Sequence, residues 1–378
     1  MLEGIKMGSI IELKNKLDML KREEKELFER IFNVFISEGE IEIPHTFRSK
    51  VREYFGDRDE HGNIIESEDE VVKRLKNQEV IRILNKWTGE GSLFNCLRSS
   101  KPGMKLGKIE EERKKVFAHI EKARINCDFC EAEKYTAEDA FGRVKGKYCI
   151  TAANIAKYDA YNGVIIFKNH NPLEFSKEML FNYIETAFKW FGKVHEYKEE
   201  FKYPFLMWNC LEKAGASQVH GHMQVLLSTS YYAKVLALRK AYQQYKEEYG
   251  RDYFDDLYKV HNSVKLAYSN ENVKIFAYLA PIKEKEIIII GNSVTNYFKE
   301  FIFKTLRCYI DKIGAMSFNL SISMPAYDDE FRYIARLVDR GSIFKSPSDI
   351  GTMELYGNSV IVTDPYTVIT ALKEFYSK

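Results

Sequence analysis

The stretch 219–227, VHGHMQVLL, constrains this chain more than any other. Its β-branched and apolar residues favour a strand, and on a strand alternate side chains share a face. His220, His222 and Gln224 then project together. Two imidazoles and an amide are of no use to an apolar core. They suit a site that handles phosphate: a neutral imidazole can attack phosphorus, and an amide can hold a non-bridging oxygen. The alternative is three solvated residues on an exposed strand face.

The rest of the chain supplies a frame for such a strand. Residues 9–38 read as a helix, with Ile10, Leu13, Leu17, Leu20, Leu27, Ile31 and Val34 at three- and four-residue steps. Residues 40–84 are mixed and charged, and DRDEHGN (57–63) reads as an exposed loop. From about residue 85, strand-like runs alternate with helices: YCITA (148–152), GVIIFK (163–168), a helix over 176–198 capped by Ser176, FLMWNC (205–210), then VHGHMQVLL. A second group follows: VKIFAYLA (273–280), EIIII (286–290), a helix over about 294–313, and NLSISM (319–324). The shared rhythm predicts a duplicated α+β unit.

Bulk properties narrow the partners. The formal net charge of +2 gives no global pull towards nucleic acid or a membrane, so basic clusters must be argued one at a time. No apolar run approaches the ~20 residues that span a bilayer. The N-terminal residues mix acidic and basic side chains and lack a signal-peptide core, so a cytoplasmic protein is expected.

Six cysteines in 378 residues are too sparse for a disulfide scaffold. Cys127 and Cys130 alone have ligand spacing; Cys96, Cys149, Cys210 and Cys308 read as small buried hydrophobes. A lone CxxC also arises in redox pairs or by chance. Structural zinc needs four ligands, and among the eight histidines His170 and His220 complete the set best. His170 could instead cap the turn NHNP. A third signal is 85–90, NKWTGE, followed by Arg98 and Lys101 just before Pro102. The two cations could clamp a diphosphate, or belong to a solvated surface.

These segments occur in the order of a known family. The chain resembles the galactose-1-phosphate uridylyltransferases, the transferase branch of the histidine-triad superfamily, whose N-x-x-T-G-x and R-x-x-R-P patterns appear as Asn85, Thr88, Gly89, Arg98, Lys101 and Pro102, with Lys for the second Arg. The CxxC follows, then a strand ending in His170. Last comes N…G-x-S-x-x-H-x-H-x-Q as Asn209, Gly215, Ser217, His220, His222 and Gln224. The resemblance covers 85–228 well and 270–375 loosely.

It implies an α+β fold of duplicated histidine-triad-like units, each an antiparallel sheet with helices. A helical extension (1–84) would precede a catalytic, zinc-bearing half (85–230) and a degenerate second half (231–378). One structural Zn2+ per chain would sit on Cys127, Cys130, His170 and His220. His222 would be the nucleophile and Gln224 its phosphoryl contact. Ser217, Arg98 and Lys101 would touch phosphate, with Asn209 in the same motif and Asn154 near the nucleoside. Glu354 loosely matches a hexose-recognising G-Y-E segment.

The partners implied are a nucleotide sugar and a phosphorylated acceptor, handled by ping-pong nucleotidyl transfer through a covalent histidine; a homodimer whose second subunit helps build the site is the family expectation. Related alternatives are a phosphorylase of an ADP-sugar or diadenosine tetraphosphate and a nucleotide hydrolase; a fourth is a zinc-stapled sensor without catalysis. Gln224, where the hydrolases carry a third histidine, favours transfer. Gly221 stands where the family has a proline or similar residue and is expected to add backbone freedom. Arg332 stands at the place of a histidine in the second half, so no second metal site is expected. The N-terminal extension is expected to cover the site or mediate assembly.

Overall fold

The structure is a computed structural model that describes residues 8–59, 61–98, 109–270, 273–345 and 350–377. At the N-terminus, helices α1 (Leu13–Asp18) and α2 (Arg22–Ile31) run directly into strand β1 (Phe32–Glu40). Next come α3 (Arg48–Phe55), α4 (Glu68–Lys76), β2 (Asn77–Asn85) and β3 (Gly91–Phe94). The single helix expected over 9–38 therefore breaks after Asp18 and stops at Ile31. Beyond Ile31 the sequence FNVFISEGE pairs residue for residue with β2, from Phe32 opposite Asn85 to Glu40 opposite Asn77. Val34 and Ile36 fit a strand as well as a helix, and the distant partner decides. The N-terminal segment is thus helical and stranded, not helical alone.

The chain continues through α5 (Ile109–Lys122), α6 (Ala132–Tyr135), β4 (Cys149–Ala153), β5 (Tyr161–Phe167), α7 (Lys177–Tyr197), β6 (Tyr203–Cys210) and β7 (His222–Ser228). After α8 (Ala233–Tyr249) and α9 (Tyr253–Ser263) come β8 (Ala267–Asn270), β9 (Val273–Ala277), β10 (Ile287–Gly291), α10 (Asn296–Arg307), β11 (Phe318–Ser323) and β12 (Tyr333–Asp339). Strand β13 (Asn358–Ile361) and α11 (Pro365–Tyr376) close the chain. Strand β13 lies parallel to β3 and completes a four-stranded sheet of order β1-β2-β3-β13.

The main sheet has nine antiparallel strands in the order β4-β5-β7-β6-β11-β12-β10-β9-β8. The run β4-β5-α7-β6-β7 repeats as β9-β10-α10-β11-β12, with the same strand order in each half, and the halves join edge to edge at β6 and β11. The predicted duplication is therefore present. Helix α7 buries Leu180, Tyr183, Ile184, Ala187 and Trp190, and α10 buries Phe298, Phe301, Ile302 and Leu306. The two helices pack together over the apolar face of the sheet. Cys149, Cys210 and Cys308 are buried there, as expected of small hydrophobes. Among the described residues no helix is long and apolar enough to cross a membrane.

The opposite face carries the difference between the halves. One register row runs from Gln224 through Met207 and Ser321 to Arg336. The two-fold that exchanges Met207 with Ser321 also exchanges Gln224 with Arg336 and His222 with Ile334. In the second half this face is filled. Arg336 Nε and Nη1 donate to Glu286 (2.6 Å) and Glu90 (2.7 Å), and Tyr278 donates to Glu90 at 2.8 Å. Asn85 Nδ2 reaches the hydroxyls of Tyr253 (2.8 Å) and Tyr278 (2.9 Å). The NKWTGE segment is thus a plug over the second half. Arg332 pairs with Asp252 at 2.6 Å, a structural role.

Candidate active site and metal centre

In the first half the same face carries His222 and Gln224 in place of that ion-pair network. Opposite residues of β5 and β7 pair as Val164 with Gln224 and Ile166 with His222, so these four share that face. Ile150, Ala152, Val164, Ile166 and Ala132 form a small apolar cluster beside it, joined by Phe129 from within the CxxC. The expected strand over 219–227 begins only at His222. His220 lies just before it, held by the backbone bonds Phe167 N to Gly221 O (2.9 Å) and Gly221 N to His170 O (2.9 Å).

That offset separates the two histidines. His220 turns its Nε2 to the carbonyl of Phe167 (2.8 Å) and its Nδ1 towards the cysteines. His222 donates from Nδ1 to the carbonyl of His220 at 2.8 Å, which leaves Nε2 as the nitrogen with the lone pair. Burial lowers the pKa of His222, against the opposing effect of that carbonyl, so the ring is held neutral. Phe129 meets both rings edge-on, at 5.8 Å from His220 and 5.4 Å from His222. Gln224 is buried, and among the described residues its Oε1 has no hydrogen-bond partner. An orphaned buried amide oxygen costs about 1–3 kcal/mol, an expense tolerated where a ligand approaches.

Cys127, Cys130, His170 and His220 form a metal-ligand group, their donor atoms all within 4.8 Å of one another. Cys127 Sγ lies 3.4 Å from His220 Nδ1, and Cys130 Sγ lies 3.4 Å from His170 Nδ1 and 3.6 Å from His220 Nδ1. The two Nδ1 atoms are 3.1 Å apart. Each ring is aimed by its other nitrogen, His170 through the carbonyl of Ile120 (3.0 Å) and His220 through that of Phe167. Burial pushes His220 down to about 4 and lowers His170, so both offer lone pairs. Burial, reinforced by the neighbouring Cys127, pushes the Cys130 thiol up to about 11. Thiolates at this corner need a cation between them.

Gly221 serves a different purpose from the one its sequence implied. Its φ is not in the left-handed region, so backbone freedom is not what it supplies. A Cβ there would sit 2.5 Å from Phe167 Cδ2 and 3.2 Å from Pro172 Cα. Phe167 cannot withdraw easily, being stacked on Tyr183 at 3.8 Å and set edge-on to Trp208 at 5.1 Å. Gly221→Ala is expected to cost about 1–3 kcal/mol and to weaken metal binding along with it. Thermal unfolding and metal analysis measure both, and unchanged values would show that the corner has room.

The remaining expected residues divide. Asn209 lies on the His222 and Gln224 face, on β6, two residues beyond the Met207–Gln224 pair. Ser217 is exposed in the loop between Gly215, at φ +91, and His220. Asn154 donates to Asn162 Oδ1 at 2.8 Å, at the end of β4. Arg98 ends a short turn after β3; among the described residues its buried Nε has no partner, and no hydrogen bond joins it to His222, Gln224 or Asn209. Lys101 lies outside the described residues. Glu354 is ion-paired with Lys283 at 2.6 Å, beside the four-stranded sheet. Phe129, Asn319 and Arg340 were not foreseen. Phe129 lay inside a recognised pattern, whereas the other two join the site only through strand pairing.

The overall arrangement matches solved structures. ADP-glucose phosphorylase from Arabidopsis thaliana, solved with bound ADP-glucose, superposes with a TM-score of 0.58 at 14% identity, over 77% of this chain and 97% of that one. A uridylyltransferase superposes at 0.50 with 13% identity, over 62% of this chain and 86% of that one. The fold is that of the uridylyltransferases. A GalT-like protein from Arabidopsis thaliana shares this uridylyltransferase fold at a TM-score of 0.52 and 17% identity, over 66% and 91% of the two chains. No protein-family model and no curated protein matches the sequence. The shared architecture is thus carried at 13–17% sequence identity.

Proposed function

We propose that this chain is a nucleotidyltransferase that takes a nucleoside monophosphate from a nucleoside diphosphate sugar onto His222 and passes it to a phosphate-bearing acceptor. The observation that carries the reading is the His222 ring, fixed through Nδ1 by a backbone carbonyl with its Nε2 left unprotonated, on the sheet face it shares with Gln224. In the first step the Nε2 lone pair forms a bond to the α-phosphorus. The bond from that phosphorus to the bridging oxygen breaks, and the sugar 1-phosphate leaves with the electron pair. In the second step an acceptor phosphate oxygen attacks the same phosphorus and the electron pair returns to Nε2. Gln224, Asn209 and Ser217 are the proposed donors to the phosphoryl oxygens, Arg98 and Lys101 the proposed cations, and Asn154 the proposed nucleoside contact.

Zinc is the metal that fits Cys127, Cys130, His170 and His220. A tetrahedral ion with Zn–S near 2.3 Å and Zn–N near 2.05 Å gives sulfur–nitrogen edges of about 3.6 Å and a nitrogen–nitrogen edge of about 3.4 Å. The separations of 3.4, 3.4, 3.6 and 3.1 Å are close to these. The ion would supply a structural crosslink between the CxxC segment and the ends of β5 and β7. His222 stays outside it.

Inorganic phosphate is the second acceptor to consider, since the ion pair with Lys283 occupies the carboxylate expected to recognise a hexose. ADP-glucose and UDP-glucose labelled at the α-phosphorus should each be offered to the protein. Acid-labile, base-stable label on His222 is expected from at least one, discharged on adding phosphate or a sugar 1-phosphate. Label that never becomes covalent would refute transfer through the histidine, and discharge by water alone would make the chain a hydrolase.

A further inference from the structure

The second half, although its own face is plugged, reaches the candidate site through a short hydrogen-bond relay. Asn319 on β11 is the register partner of Asn209 on β6, across the seam between the two halves. Asn319 Nδ2 donates to Asn209 Oδ1 and to the carbonyl of Ala214, both at 2.8 Å. Its Oδ1 accepts from Arg340 Nη1 at 2.7 Å, just past the end of β12. Arg340 is itself anchored by its backbone N–H to the carbonyl of Ser317 at 2.9 Å.

The polarity of this relay is dictated by its two ends. A guanidinium has donors only, so the oxygen of Asn319 must face Arg340. The carbonyl of Ala214 can only accept, so the amide nitrogen of Asn319 must face it. Asn319 therefore has one permitted orientation, and it offers Asn209 a donor. Asn209 answers with its oxygen, which leaves its own Nδ2 as the group free to serve the His222 face. A phosphoryl oxygen carries no proton and can be held only by donors. The opposite orientation of Asn209 would turn an oxygen towards it and repel it.

We propose that Arg340 is a positioning residue: acting through Asn319, it fixes the Asn209 amide with its donor end towards the phosphoryl group on His222. Arg340 need not touch the substrate. The contact to Ala214 extends the same control to the loop that carries Ser217. The inference rests on the nucleotidyl-transfer reading and deepens it by giving the second half a part in the same site.

The test is single-turnover labelling of His222 with α-phosphorus-labelled ADP-glucose and UDP-glucose in wild type, Arg340→Met, Arg340→Lys and Asn319→Asp. Arg340→Met keeps the length of the side chain and removes every donor. Its limiting labelling rate is expected to fall on the order of 10–100-fold, while the half-saturating donor concentration moves by less than about threefold. Arg340→Lys restores a donor and should recover most of the rate. Asn319→Asp keeps the size and the pairing with Arg340 but removes the donor to Asn209, so it reads the polarity independently should Arg340→Met fail to fold. Metal content and thermal unfolding accompany each variant. A wild-type rate in Arg340→Met or Asn319→Asp overturns the relay, as does an equal loss in the lysine and methionine variants. Wild-type protein that takes no label from either donor refutes the transfer reading instead, and the relay with it.

Discussion

His222→Gly is expected to abolish nucleotidyl transfer, with turnover falling by a factor on the order of 10⁴ or more, while the fold and the metal content stay near those of wild type. The side chain packs at the edge of the apolar cluster, beside Phe129, and among the described residues only its Nδ1 is bonded to the protein, to the backbone of His220. Removing it cuts no ligand from the Cys127–Cys130–His170–His220 group. The loss should therefore appear chiefly in chemistry, with a stability cost limited to the space the ring vacates. Steady-state turnover, covalent labelling and metal analysis on one preparation separate the two. Turnover surviving in His222→Gly would place the nucleophile elsewhere.

Cys127→Ser is expected to lose the metal, stability and transfer together. A serine hydroxyl is a poor zinc ligand, and metal binding to a preformed corner contributes directly to folding free energy. If the local loss is about 4 kcal/mol, an unfolding entropy near 2.1 cal/mol/K per residue makes the shift in Tm roughly 5 °C. Transfer should fall for a separate reason. The carbonyl that holds the His222 ring belongs to His220, and Phe129, which borders both rings, is carried between the two cysteines. Chelation of the wild type should reproduce the variant. Stoichiometric zinc retained in Cys127→Ser, or wild-type protein purified without metal, would show that the four residues do not bind it.

Much of the site could be read from the sequence because its signals are local. The alternation of His220, His222 and Gln224 with apolar residues is a property of nine consecutive positions. The helix over 176–198 appears as Lys177–Tyr197 with Ser176 as its cap, since apolar spacing and capping chemistry lie within one segment. The CxxC requires two more ligands, and the four residues do converge. Strand rhythm likewise revealed the duplication, because each repeat contains its own strands and helix.

What the sequence left open depends on partners far away along the chain. Residues 32–40 carry apolar spacing compatible with a helix, and only pairing with β2 makes them a strand. Gly221 looked like a source of flexibility, and only the ring of Phe167 shows that it provides space. The NKWTGE segment was read with the phosphate cations, whereas its Glu90 is spent on Arg336, 246 residues away. Asn319 and Arg340 carry no local mark at all. Local chemistry determined which side chains are suited to bind metal or attack phosphorus, because residue type and spacing are properties of a few consecutive positions. The sheet register decided which side chains surround each of the two equivalent faces, because those contacts are formed only when strands distant in sequence lie side by side.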